Sequence, residues 1–364
     1  MIKSLVIDQD IRKAKTLPGL FYRSPEYYEA SKARIFRRTW HYVADSADLP
    51  EAGSLFPFTL LPGFLNEPLL LTRDQAGKLH CLSNVCTHRG KILIEEPGQK
   101  RLVACGYHGR CFRLDGTMKS MPGFEETLDF PSPSDHLPRF SVEEWRGLIF
   151  VSLDPIAPFA DFMAPINERL AWQQDQALSF VEQGTQNYPV AAHWALYCDN
   201  YLEGFHIPFV HPGLNDALDF QAYDYELFEY GNLQLGIAKE GEPCFAFPAG
   251  TPDAGQQIFA FYYWIFPNLM FNFYPWGLSF NQVEPQGIDQ TVVRFRTYHR
   301  EGTEFNWTVN QIHQTEMEDE AVVESVQKGI QSPYYGAGRY SPSMEKGVHH
   351  FHLLVAKFLN ETEV

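Results

Sequence analysis

The sequence predicts an α+β protein in two parts: a small antiparallel β domain, then a larger antiparallel sheet with helices packed on it. Three observations carry this. Short strand-like runs crowd residues 39–155, separated by Gly, Pro and Asp turns. A proline-rich stretch, residues 155–165, then interrupts the pattern and reads as a link. Beyond it, over 156–364, apolar strand-like runs are followed by two stretches of helical periodicity. At 364 residues the chain can bury two cores.

Residues 1–38 form a lead-in expected to pack on the second domain. Residues 26–38 have helical character, with Tyr27, Tyr28, Ala33, Ile35 and Phe36 as the apolar members. Residues 40–44 read as a first strand and 49–53 as a turn. Residues 69–73 and 79–82 read as a hairpin across a polar turn at 74–78. Residues 101–104 and 111–114 flank a loop, and Asp115-Gly116 is a hairpin turn. Residues 147–153 are the last strand of this domain. In the second part, residues 259–266, 269–274 and 291–299 read as strands, and 307–330 and 350–359 as helices.

A composition of 45% hydrophobic and 20% charged residues excludes a disordered chain. A net charge of -16 argues against nucleic acid and anionic membrane as partners. The longest apolar stretch, 258–280, is broken by Pro267, Asn268, Asn272, Pro275 and Gly277, so it fits two buried strands better than a membrane span. The first fifteen residues are mixed polar, without a secretory signal. The six cysteines then point to reduced thiols in a cytoplasm.

Two short motifs hold four of the softest ligands in the chain. Cys86-Thr87-His88 is followed, with sixteen residues between, by Cys105-Gly106-Tyr107-His108. Gly90 and Gly109 close the loops, where a tight turn needs glycine. Two thiolates with two imidazoles suit a [2Fe–2S] cluster of the Rieske type, with both cysteines on one iron and both histidines on the other. A structural zinc site of two cysteines and two histidines uses the same donors, but zinc fingers usually carry both His on one helix. Here each His travels with a Cys.

The second constellation is Glu203-x2-His206-x4-His211, in a segment with Pro208 and Pro212. One helical turn separates Glu203 from His206, so they can touch. The prolines forbid a regular helix, so His211 is expected from a broken turn that swings it beside His206. Two His with one carboxylate and open positions is the ligand set of mononuclear non-haem Fe(II) oxygenases. The candidate carboxylate is Asp319, placed by periodicity on one helical face with Ile312, Val322, Val326 and Ile330. The other reading of Asp319 is a buried salt bridge or a helix cap. Glu316, Glu318 and Glu320 read as solvated.

These motifs resemble the oxygenase (α) component of Rieske non-haem iron oxygenases, from about residue 40 to 358. The stretches Pro267-Asn268-Leu269-Met270, Glu318-Asp319 and Gln327-Lys328-Gly329 are similar to the choline and carnitine monooxygenase branch, as is Glu203, where many ring-hydroxylating dioxygenases have Asp. The resemblance implies a β-sandwich Rieske domain and a helix-grip catalytic domain. It implies cluster ligands Cys86, His88, Cys105 and His108, and iron ligands His206, His211 and Asp319. Glu203 would couple the two centres across the interface of a homotrimer, from His108 of one chain to His206 of the next. O2 would be the co-substrate. Arg110 departs from the pattern: the family commonly has Trp there.

No G-x-G-x-x-G follows a strand, so electrons are expected from a separate NAD(P)H-dependent reductase, directly or through a ferredoxin. Residues 86–119 carry net +4 within this acidic chain, either ordinary surface charge or a docking face. The substrate is expected to be small: a methylated or quaternary amine, or an aromatic compound. Most aromatics at 259–280, with Phe205, Phe209 and Tyr225, read as core; a few could cage an ammonium or clasp a flat ring. An electron carrier or redox sensor using only the Rieske domain is the alternative from another class.

Overall fold

The computed structural model describes residues 2–219, 222–303 and 309–361; the side chains at 183, 217 and 309–312 also lie outside the described set. The chain divides into two compact units, residues 37–156 and residues 1–36 with 157–364.

The first unit is antiparallel β throughout. Its strands are β1 (His41–Asp45), β2 (Ser54–Leu60), β3 (Glu67–Arg73), β4 (Leu79–Ser83), β5 (Gly98–Gln99), β6 (Val103–Ala104), β7 (Cys111–Phe112), β8 (Met118–Ser120), β9 (Arg139–Trp145) and β10 (Leu148–Ser152). Seven form one sheet in the order β1-β10-β9-β4-β3-β2-β5, and β6-β7-β8 form a second. The expected hairpin pairs Arg73 with Leu79, and Asp74 Oδ1 accepts from the amides of Ala76 and Lys78 in the turn. A core of Leu55, Leu70, Leu82, Phe112, Leu114 and Leu137 surrounds the two cysteines of the loop motifs.

In the second unit, helices α1 (Gly19–Arg23) and α2 (Pro25–Arg34) come first, α2 capped by Ser24 with proline at its first turn. Ala33 of the expected apolar set is exposed. Ser31 takes the buried place instead, its hydroxyl donating to Tyr27 O at 2.9 Å. Helix α3 (Phe159–Arg169) falls inside the stretch read as a link. Phe159, Phe162, Met163 and Ile166 recur at helical spacing and bury one face, despite Pro165.

The sheet of this unit runs β11 (Leu178–Val190), β12 (Asp224–Phe228), β13 (Gly231–Ile237), β14 (Ile258–Ile265), β15 (Leu269–Tyr274), β16 (Gly277–Gly287) and β17 (Gln290–Arg300), in spatial order β11-β17-β16-β15-β14-β13-β12. Both β14 and β15 are wholly buried because helices cover the sheet: Tyr263 on one face donates to Pro165 O of α3. On the other face Trp264 packs edge-on against Phe351 of α8 (Lys346–Asn360). The near-continuous apolar runs of β14 and β15 reflect this two-sided cover. The same face carries α4 (Trp194–Tyr201) and α7 (Val309–Gly329). Residues 307–308 of the expected helix lie outside the described residues. Among the described residues no helix is long and apolar enough to cross a membrane.

Candidate functional site

The two cysteine loops are built alike. In the first, Cys86 N donates to Lys91 O at 2.8 Å and Gly90 N to Cys86 O at 2.9 Å; in the second, Cys105 N donates to Arg110 O at 2.7 Å and Gly109 N to Cys105 O at 3.0 Å. Both closures need a left-handed residue, and Gly90 and Gly109 have φ of 72° and 76°. Cys86 and Cys105 are 3% exposed. His88 is half-buried and His108 exposed, with ring centroids 4.7 Å apart.

The thiols sit among amides. Burial pushes the Cys86 thiol up, against the N–H groups of His88 and Arg89. At Cys105 burial acts the same way, but the amides of Tyr107 and His108 outweigh it and the thiol is held low. Burial, with His108, Arg89 and Arg110 nearby, lowers the pKa of His88. Two sulfurs ringed by N–H donors and two adjacent imidazoles fit the donor set of a Rieske cluster. Arg110 is 2% exposed, so it belongs to no docking face. Its guanidinium pairs with Asp135 at 2.6 Å and lies over Phe130 and Phe112, a flat cation in place of a flat indole. Thr87 donates to Asp135 O at 2.9 Å, so the pair also braces the first loop.

In the second unit α4 ends at Tyr201, and Glu203 and His206 lie in the turn before α5 (Ile207–Val210). They touch through that turn rather than along a helix: Glu203 Oε1 lies 2.8 Å from His206 Nδ1, and Oε2 accepts from His206 N at 3.0 Å. Between α5 and α6 (Pro212–Ala217), His211 has φ -118° and ψ 80°, the break the prolines impose. His206, His211 and Asp319 come together, one ligand atom from each lying within 4.8 Å of the others. His211 Nε2 is 2.9 Å and His206 Nε2 3.4 Å from Asp319 Oδ1. Each Nδ1 is held by a glutamate, Glu203 for His206 and Glu318 for His211, both at 2.8 Å, which turns both Nε2 atoms toward Asp319.

Charges follow from these contacts. Burial opposes protonation of His206, but Asp319 and Glu203 outweigh it and raise its pKa to about 9. His211 is raised likewise, by Asp319 and Glu318 against burial. Asp319 is held low by both imidazoles, although burial acts the other way. Protons here occupy the place of a cation, and two imidazoles with one carboxylate fit a divalent iron.

Helix α7 corrects the expected face. Its buried positions are Glu316, Glu320, Val323, Gln327 and Ile330, spaced 4, 3, 4 and 3. Val326 is 42% exposed, Val322 half-buried, and the side chain of Ile312 lies outside the described residues. The glutamates read as solvated are therefore misread. Glu316 is 3% exposed and accepts from Tyr197 at 2.7 Å; Glu320 is buried; Glu318 holds His211. An acid-rich run gives no apolar signal, so periodicity alone missed them. Asn200, which donates to Asp319 Oδ1 at 3.0 Å, was also missed as a contact.

A cavity opens beside the triad. Tyr201, Tyr223, Tyr262 and Tyr274 line it, with Gln234, Asn272, Ser279 and Asn281 from the sheet and Glu316 from α7. Phe205 and Phe209 point outward, 43% and 80% exposed, and the Tyr225 hydroxyl is engaged by Gly204 N and Met344 O; none lines the cavity. A second cavity shares Asn200, Glu203 and His206 with the first. Its wall includes Asp199, bonded to Tyr22 at 2.7 Å and to His352 at 2.8 Å.

The family described as Ring hydroxylating alpha subunit (catalytic domain) matches residues 178–361, and the Rieske [2Fe-2S] domain matches residues 39–140. The chain is a Rieske oxygenase α subunit. This oxygenase is 30% identical to choline monooxygenase of Beta vulgaris over 96% of its own length and 79% of the beet protein. It is also 30% identical to the carnitine monooxygenase oxygenase subunit of Escherichia coli K12, over 96% and 95% of the two chains. A quaternary ammonium Rieske monooxygenase structure, described in terms of carnitine oxidation and inter-subunit electron transfer, superposes with a TM-score of 0.78 at 25% identity, over 98% of this chain and 100% of that one. Naphthalene 1,2-dioxygenase from Rhodococcus shares the fold, with a TM-score of 0.70 at 18% identity over 94% and 93%.

The oxygenase is thus an oxidoreductase using a [2Fe–2S] cluster, mononuclear iron and O2. Its family draws electrons through reductase or ferredoxin partners and acts on small molecules. A pure carrier or sensor is not supported, because the catalytic domain occupies half of the chain.

Proposed function

We propose that this oxygenase hydroxylates or oxidatively demethylates a small methylated or quaternary amine. The observation that carries the reading is the wall of four tyrosines, Tyr262 and Tyr274 buried and Tyr201 and Tyr223 half-buried, in the cavity that also reaches His206, His211 and Asp319. Tyrosine faces attract an ammonium by cation–π interaction, more strongly once desolvated. The relatives named for choline and carnitine support the same class. An unsubstituted aromatic hydrocarbon fits less well, since it offers no polar group to the wall of Gln234, Asn272, Ser279 and Asn281.

In this reading Cys86, His88, Cys105 and His108 hold the cluster, and His206, His211 and Asp319 hold the iron. Bound ferrous iron with open positions supplies the activation of O2. The chain's own residues do the rest. Glu203 and Glu318 fix the imidazole tautomers and aim both Nε2 atoms. Asn200 orients Asp319. The tyrosines exclude water around the methyl groups. Glu203 bridges His206 to His108 of a neighbouring copy in a homotrimer, and residues 1–38 belong with the catalytic domain.

The test is O2 uptake by the holoenzyme with a surrogate reductant, across methylated amines and aromatic acids. Uptake that depends on a methylated amine and yields its hydroxylated or demethylated product is expected. Uptake driven by aromatic acids alone overturns the amine reading.

A further inference from the structure

Glu316 is buried beside the substrate cavity without a cation of its own. It projects from α7 into the cavity wall and is 3% exposed. Tyr197 donates to its Oε2 at 2.7 Å, while Oε1 is buried with no hydrogen-bond partner. An anionic carboxylate left bare in a protein interior is so costly that the group takes up a proton unless a cation meets it. No Lys or Arg is among the described residues lining this cavity. The nearby carboxylates, Asp319 and Glu320, add repulsion, and burial pushes the Glu316 carboxyl well above its usual range. Asp319 is held by both imidazoles, so it is not the free charge.

A permanently cationic substrate supplies what is missing. Its methyl groups face the tyrosines, and its charge meets Oε1. Tyr197, itself buried, fixes the other oxygen and so aims the carboxylate. We infer that Glu316 is the counter-charge that selects a quaternary ammonium headgroup in this oxygenase. The inference rests on the amine reading above and assigns its specificity to one side chain outside the iron ligands.

The test compares choline with its neutral carbon isostere, 3,3-dimethylbutan-1-ol, by calorimetric titration of the oxidised holoenzyme. The two share shape and hydroxyl but differ in charge. The wild type is expected to prefer choline by roughly tenfold or more, the scale of one charge-assisted contact. In Glu316→Gln that preference collapses toward unity, while affinity for the neutral isostere, iron content and the cluster's visible spectrum stay as they were. A preference that survives in Glu316→Gln overturns the inference and leaves the amine reading standing. Should the Gln variant lose the cluster spectrum, Glu316→Met carries the same comparison. Equal wild-type affinity for the two compounds overturns the inference without any variant. If the wild type binds no methylated ammonium at all, including tetramethylammonium, the amine reading falls with it.

Discussion

Glu203 uses both carboxylate oxygens on His206, one for the ring and one for the backbone amide. Its proposed role is to couple two metal centres, not to hold either, and variants separate these. Glu203→Gln keeps size and one hydrogen bond but gives up the charge. Both metals should stay bound, while turnover falls by about 10²-fold or more, as for other groups that aim a metal ligand. Turnover within a factor of two of wild type contradicts the bridge. His206→Ala should lose mononuclear iron by elemental analysis and retain the cluster's visible spectrum.

At the scale of elements, the junction of α4 with α7 sets a pH limit. His193 caps α4, its Nδ1 accepting from Ala195 N at 3.2 Å, while its own amide donates to Gln327 Oε1 of α7 at 3.1 Å. Phe21, Tyr22 and Trp194 enclose the ring. Burial lowers its pKa to about 3. The unfolded chain, titrating near 6.5, therefore binds more protons than the native state between pH 6.5 and 3. This stabilisation is complete above pH 6.5 and fades as pH falls through that window, by about 2 kcal/mol at pH 5. Urea midpoints at pH 7 and pH 5 should show that loss, and His193→Asn, which can still cap, should reduce it. An unchanged difference between the two midpoints counts against His193 as the cause.

The same helices show what a sequence discloses and what it hides. Short apolar runs bounded by turn residues located β3, β4 and β10, and β10 is buried at all five positions. The spacing of Cys86, His88, Cys105 and His108 disclosed the two loops, because a soft donor set is rare by composition. Helix α7 was legible as a helix but not in its rotation. Its buried stripe is polar, Glu316, Glu320 and Gln327, since it faces a site and not an oily core. Strands β13 and β16 went unseen because their buried positions include the polar side chains Asn232, Gln234, Asn281 and Gln282. Helix α3 hid behind its prolines.

For the whole molecule, charge is distributed unevenly. The chain carries net -16, yet Arg89, Lys100, Arg101, Arg113 and Lys119 are exposed on the Rieske unit. That surface suits an acidic electron donor. Reduction of the cluster by the partner should slow as salt rises from about 0.1 to 1 M, where screening shortens from ~10 to ~3 Å. A rate indifferent to salt removes the electrostatic docking idea. Metal analysis should return about three irons per chain, two from the cluster and one from the triad.

Glu316, Glu318, Asp319 and Glu320 occupy scarcely more than one turn of α7, and among the described residues two imidazoles balance them. A divalent ion would relieve that crowding, so the metal should act as a rivet for the helix as well as a reagent. Chelation should then loosen α7 before anything else, read as faster amide exchange confined to 313–324 and a lower melting temperature that ferrous iron restores.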